Sequence, residues 1–318
     1  MTEQKTMRDC FIDGVYRRMK ENRNIFFLCA DFGSPKLDQI REKISDRFIN
    51  VGIAEQNLIN VATGLALEGF TVYVYAIAPF LVMRPYEQIR INLSLHAQLK
   101  KININLIGVG AGLSYDVSGP THHCLEDITI MRALPHMEVF SPSDWVLAES
   151  FVDYSLNTAK PKYLRFDGKP LPNIYQDRAV INIEDGFCEL KKGSRACFVS
   201  TGIMTHKALE AAEMLKKENI EVGVIDLFLL KQGNADRLYE ALKKYQVLVT
   251  LEEAFINKGG LDSFILFLLN KKASAIKVKN MGFADRYIFD IGSRDYLHKI
   301  NKLDTLSMME SVKELLSL

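Results

Sequence analysis

The sequence predicts an α/β protein of two tandem domains, each an open, mostly parallel sheet. Two observations predict it. Apolar runs of strand length alternate with helical patterns of about 10 to 15 residues, which is the signature of βαβ units. That alternation stops once, after Lys160, and then restarts. A chain of 318 residues has room for about two such domains.

The first series opens with the strand IFFLCAD (25–31) and continues with a helix inside NVGIAEQNLINVATGLALEGF (50–70). It goes on with the strand FTVYVYAIA (70–78), the helix MRPYEQIRINLSLHAQL (83–99), the strand INLIGVG (104–110) and the helix LEDITIMRALP (125–135). The strand MEVFSPS (137–143) and the helix DWVLAESFVDYSLN (144–157) close it. Residues 160–193 are rich in Pro, Gly and charge and read as a linker carrying a short hairpin. The second series runs from the strand RACFVSTG (195–202) through the helix 204–220, the strand EVGVIDLFLL (221–230) and the helix 235–246. It ends on the strand VLVTLEE (247–253) and the helix 259–271. The expected domains are 1–180 and 181–318.

Composition narrows the function. A net charge of +1, with Lys and Arg interleaved among Asp and Glu, offers no field for nucleic acid. The N-terminus is polar, and no apolar run approaches the roughly 20 residues that a bilayer span needs. A cytoplasmic protein is expected. Five scattered cysteines without C-x-x-C spacing argue against a disulfide framework or a zinc site, so no bound metal is expected within this chain.

Ligands of open parallel sheets bind beyond the carboxyl ends of the strands. The loops at issue are 30–34, 50–55, 75–80, 108–123, 141–144 and 165–168. GVGAG lacks the helix that a dinucleotide fingerprint requires, so Gly108, Gly110 and Gly112 read as a turn. In SGPTHHCLED two histidines sit on a Gly-Pro turn. Neighbouring histidines rarely reach one ion, and the turn suits hydrogen bonding or proton transfer to a substrate. Taken alone, the pair reads better as solvated loop residues. Glu55 shares a helix face with Ile59, Ala62 and Ala66. Either it serves the free N–H groups of the first turn, or it is buried because something docks against it.

The series ADFGS, RFINVGIAEQN, FLVMRPYEQIR, GPTHH..ED, SPSD and LEEAF..GG resembles, in order and spacing, the pyrimidine-binding and C-terminal domains of the transketolase family of thiamine diphosphate enzymes. Family members carry ahead of these a diphosphate-binding domain, whose Gly-Asp-Gly and later Asn hold magnesium and the cofactor's phosphates. This sequence has no Gly-Asp-Gly. The resemblance therefore implies one subunit of a split enzyme, completed as α2β2 by an N-terminal-type partner that holds most of the thiamine diphosphate and its Mg.

The resemblance also implies roles. Glu55 bonds a ring nitrogen of the cofactor's aminopyrimidine and favours its imino tautomer, a task that suits a buried acid. Phe80 packs on the pyrimidine, with Tyr75 as the alternative, and Asp31 of ADFGS lies on the cofactor side. His122 contacts the donor sugar near its carbonyl, whereas His123 has no assigned role. Ser34 and Arg165 match positions that bind the acceptor's phosphate, and Arg8 joins them; the competing reading of Arg165 is a domain-boundary salt bridge. Two departures bear on the sugar. Ser118 stands where many members have an acid, and GAGLSY stands where they place another histidine. The function implied is transfer of a two-carbon ketol unit between a ketose and an aldose, with a phosphorylated sugar on at least one side. Alternatives are a deoxyxylulose phosphate synthase-like subunit, to which GSRDYL is similar, a 2-oxo acid dehydrogenase β-type subunit, or a non-catalytic scaffold.

Overall fold

The computed structural model describes residues 4–177, 181–231 and 233–317. These fall into two compact units: 4–111, 131–140 and 144–177 form the first, and the remainder, including 112–130 and 141–143, form the second. The boundary expected at 180/181 touches residues 178–180, which lie outside the described residues.

In the first unit, β1 (Gln4–Lys5) leads into α1 (Met7–Glu21). The Thr6 side chain caps α1 by accepting from the Asp9 amide at 3.1 Å. Sequence reasoning misses α1. Its stripe of Met7, Phe11, Val15 and Met19 is narrow, and its outer face carries Arg17 and Arg18. Those two arginines pair with Glu149 and Asp153 of α7 (Trp145–Asn157), so the polar face is a helix-to-helix seam.

The sheet of this unit is built from β2 (Ile25–Cys29), β3 (Phe48–Asn50), β4 (Thr71–Ile77), β5 (Asn103–Val109), β6 (Glu138–Phe140) and β7 (Lys162–Phe166), all parallel, in the order β6-β7-β5-β4-β2-β3. At its carboxyl edge, α2 (Pro35–Lys43) follows β2 and α3 (Glu55–Leu67) follows β3. The helix expected over 83–99 starts earlier, as α4 (Ala78–Met83), and breaks at Pro85, which has no N–H to donate into a helix. It resumes as α5 (Tyr86–Gln88) and winds as a π-helix over Ile89–Leu95. After β5 the chain forms α6 (Asp127–Ala133), and after β7 it forms β8 (Leu171–Pro172), antiparallel to β1.

The strand β7 corrects the linker reading of 160–193. KYLRF is buried throughout, between β5 and β6, although two of its five residues are cations. Lys162 is tolerated because its Nζ donates to Asn103 Oδ1 and to the Thr158 and Lys160 carbonyls. Burial nevertheless pushes its amine down to about 7.

The second unit is a five-stranded sheet in the order β14-β13-β10-β11-β9. Its strands are β9 (Phe187–Lys191), β10 (Ala196–Ser200), β11 (Val222–Leu227), β13 (Val247–Phe255) and β14 (Lys277–Phe283). Among these strands β9, at the edge, is the antiparallel one. The strand expected over 221–230 ends at Leu227, and the short β12 (Leu229–Lys231) follows separately. The helices are α8 (Ile203–Lys217), α9 (Ala235–Leu242), α10 (Leu261–Lys271), α11 (Arg294–Ile300) and α12 (Thr305–Ser317). One core of Phe198, Leu251, Phe283, Leu297 and Val312, among others, joins α8, α11 and α12 to the sheet.

Candidate functional site

Two loops at the carboxyl edge of the first sheet are tied together by Asn50. Its Oδ1 accepts from the Asp31 and Gly52 amides at 3.1 and 3.0 Å, and its Nδ2 donates to Asp31 Oδ1 at 3.1 Å. Asp31 adopts a left-handed φ of 48° and Gly52 one of 72°, so both loops turn sharply at the residues Asn50 holds. This fixes the start of α3.

Glu55 is the first residue of α3 and only 5% exposed, above the buried Leu58, Ile59, Ala62 and Ala66. Its carboxylate bonds Arg84, whose Nη1 donates to both oxygens at 3.0 and 3.1 Å, rather than the helix amides. The Arg84 guanidinium in turn lies over the Phe80 ring, 4.9 Å from its centre. Glu55 and Arg84, with Ile53, Ala54, Gln56 and Asn57, line an open cleft of about 370 Å³. Sequence reasoning missed Arg84. The signal was its i+4 spacing from Phe80 within FLVMRPYEQIR.

Tyr75 sits elsewhere. Its ring is fully buried on β4 and stacked on Phe32 at 5.2 Å, and its hydroxyl reaches the Gly33 carbonyl. It presents no accessible face, whereas Phe80, against the Arg84 guanidinium, is partly exposed. Tyr75 instead supports the loop that carries Ser34.

Arg8 donates to both oxygens of Asp9 at 2.9 and 3.2 Å and lies beside Tyr75. Burial would raise the Asp9 carboxyl, but hydrogen bonds from Arg8, Thr6 and Ser34 hold it below the usual range. Arg8, Tyr75 and Ser34 are thus brought together. Arg165 is buried on β7, and β5 and β4 stand between it and β2. At about 4.8 Å per strand, Arg165 and the Ser34 loop leave the sheet about 14 Å apart. Ser34 also caps α2, its Oγ accepting from the Leu37 amide at 3.2 Å. Ser34→Ala should therefore cost about 1 kcal/mol in urea unfolding of the chain by itself. No change would mean that the hydroxyl has no capping role.

His122 belongs to the second unit. The loop that carries it opens with a Gly112–Cys124 antiparallel bridge and turns at Gly119, whose φ of 75° lets its carbonyl accept from the His122 and His123 amides at 3.0 and 3.3 Å. His122 is partly exposed, its Nδ1 3.0 Å from Thr121 Oγ1. His123 is buried, which pulls its imidazole down, and its Nε2 donates to the Asp116 carbonyl at 3.4 Å. Ser118 is exposed on the same loop. Among the described residues no three His, Cys, Asp or Glu side chains gather as a metal site, and no helix is long and apolar enough to cross a membrane.

Known proteins share this layout. Residues 3–172 match the transketolase pyrimidine binding domain and residues 188–305 the transketolase C-terminal domain. The chain is 29% identical to a subunit of the apulose-4-phosphate transketolase of Actinobacillus succinogenes, over 98% of both chains. It is 26% identical to the 6-deoxy-6-sulfo-D-fructose transketolase subunit SqwH of a Clostridium species, over 93% of this chain and 89% of that one. A solved split-gene transketolase, described as an inactive β4 tetramer, superposes with a TM-score of 0.88 at 30% identity, covering 98% of this chain and 99% of that one. Two domains matched in order along nearly the whole length place this chain in the transketolase family.

Proposed function

We propose that this chain is the pyrimidine-side subunit of a cytoplasmic thiamine diphosphate-dependent transketolase that moves a two-carbon ketol unit from a ketose to an aldehyde. An N-terminal-type subunit supplies the diphosphate and Mg site in an α2β2 assembly. The observation that carries the reading is Glu55, a buried acid at the wall of an open cleft, with the Arg84 guanidinium on it and Phe80 beneath. A carboxyl group and an aromatic face are the donor set that an aminopyrimidine needs, so these residues fit that half of the cofactor. Ile53 and Met83, 74% and 40% exposed close to the cleft, are apolar surface for the partner to cover.

Bound thiamine diphosphate supplies the nucleophilic carbon that takes up the ketol unit. Glu55 would hold the proton at a pyrimidine nitrogen, on the carboxylate that Arg84, 53% exposed, meets in this structure. Asp31 helps to hold the loop from which Glu55 projects. His122 bonds a hydroxyl of the donor sugar beside the reacting carbonyl. Arg165 reads an anionic group on the substrate, and Arg8 with Ser34, about 14 Å along the sheet edge, forms a second candidate anion site. Relatives named for a sugar 4-phosphate and for a sulfo-sugar both have such a group, which supports the reading. Ser118, in place of an acid, redirects sugar choice, because a pocket that bonds a hydroxyl discriminates against analogues lacking it.

The test mixes this chain with a subunit bearing Gly-Asp-Gly and screens ketose donors against aldose phosphates and pyruvate by mass spectrometry. Two-carbon transfer from a ketose is expected; products from pyruvate alone would move the assignment to the synthase or dehydrogenase class. Arg165→Ala should raise KM for a phosphorylated acceptor about 10- to 100-fold over its effect on the unphosphorylated analogue, the worth of a charged hydrogen bond. Equal effects would remove Arg165 from the anion site.

A further inference from the structure

The second unit contains a buried charge cluster that the proposed chemistry does not use. Glu253, on β13, is 1% exposed and accepts from three residues at once. Arg294 donates to it from Nε at 2.7 Å and from Nη2 at 2.5 Å, and His298 donates from Nε2 at 2.6 Å. The third donor residue is Leu113, through its amide at 2.9 Å. Arg294 and His298 are one turn apart on α11 and so face the carboxylate together. The cluster grips the His122 loop a second time: the Arg294 amide donates to Asp116 Oδ2 at 2.8 Å, and the Asp116 carbonyl receives His123. Space for this grip depends on Gly112, where a Cβ would collide with Glu253 Oε2.

A buried ion pair is a poor source of stability, because the desolvation of both charges offsets their attraction. What a two-pronged guanidinium contributes is direction. We propose that Glu253, Arg294 and His298 are positioning residues for the reaction: they set the loop 112–123 from behind and thereby fix where His122 meets the donor sugar. This rests on the role of His122 given above. It gives the C-terminal domain a part in catalysis exercised through the loop, without α11 or β13 touching substrate.

The experiment uses Arg294→Lys, which keeps the charge and loses the fork, with Glu253→Gln as a second, harsher variant. In the reconstituted enzyme Arg294→Lys should lower kcat by up to about 100-fold, the cost of an ångström-scale misplacement, with KM for the acceptor changed less than about twofold. In a His122→Ala background the same substitution should cost nothing further, because its effect runs through His122. An undiminished loss in that background would overturn the proposal. In the full chain alone, hydrogen exchange of residues 112–124 should speed at least about tenfold while residues 196–200 keep their protection. Equal exchange in wild type and variant would also overturn it. Should the wild-type complex show no ketol transfer, the function fails, and the exchange measurement still decides whether the cluster holds the loop.

Discussion

Glu55→Gln in the reconstituted complex is expected to lower turnover at least about 100-fold, the scale on which a positioned acid contributes to proton transfer. The amide keeps the shape and one hydrogen-bond acceptor but cannot share a proton with a ring nitrogen. Folding should be nearly unaffected, because the Glu55–Arg84 pair has one partner 53% exposed, and such pairs contribute about 1 kcal/mol or less. The diagnostic measurement is exchange of the thiazolium proton, followed by NMR in deuterated water. If exchange stays as fast as in wild type, Glu55 is a structural acid held by an arginine, and the catalytic assignment fails.

Glu253→Gln should produce the largest change in stability, about 3–5 kcal/mol in urea unfolding, because it strands the buried Arg294 charge against a neutral amide. The effect has a pH signature. Burial alone would raise the Glu253 carboxyl, but the charge and hydrogen bonds of Arg294 and the bond from His298 more than offset this and hold it far below the usual range. A group whose folded value is depressed stabilises fully above its unfolded value of about 4.5, and that stability is lost as pH falls below it. The gap between wild type and Glu253→Gln should therefore narrow below pH 4.5. The adjacent Glu252 acts with the opposite sign. Burial and Asp262 push it up to about 8, so its contribution falls as pH rises from 4.5 toward 8, in both proteins alike. A gap that is constant from about pH 3 to 7 would show that the Glu253 carboxylate is not the source.

The sheets were legible where burial and composition agree. IFFLCAD, FTVYVYAIA, INLIGVG and VLVTLEE are apolar through most of their length and appear as β2, β4, β5 and β13. KYLRF was not legible, because its place inside a sheet depends on Asn103 and the carbonyls of 158 and 160 accepting a buried ammonium, and such partners are not visible in local sequence. The same limit hid α1, whose arginines face α7, far along the sequence. At the candidate site, the motifs that carry Glu55 and His122, GIAEQN and GPTHH, were legible in local sequence. Arg84, Asn50 and Glu253 were not, since each acts by a contact to a distant loop that only folding creates. Tyr75 and Phe80 both come from the stretch YAIAPF, and the resemblance favours Phe80 with Tyr75 as the alternative. They differ in burial and neighbours: Tyr75 is stacked on Phe32, and Phe80 is partly exposed against the Arg84 guanidinium.

The assignment of residues 112–130 to the second unit bears on how such proteins recombine. A chimera that exchanged only 181–318 for a relative's sequence would bring in a new α11 and a new strand to face a loop inherited from the other parent. Gly112 would then meet a different side chain, and the Leu113 and Asp116 groups would face new partners in place of Glu253 and Arg294. The transferable module is discontinuous: the loop that carries His122 travels with the C-terminal domain, although residues 131–140 and 144–177 of the first unit lie between the two along the chain. On the role proposed for His122 and Ser118, sugar preference should follow that module rather than the visible linker.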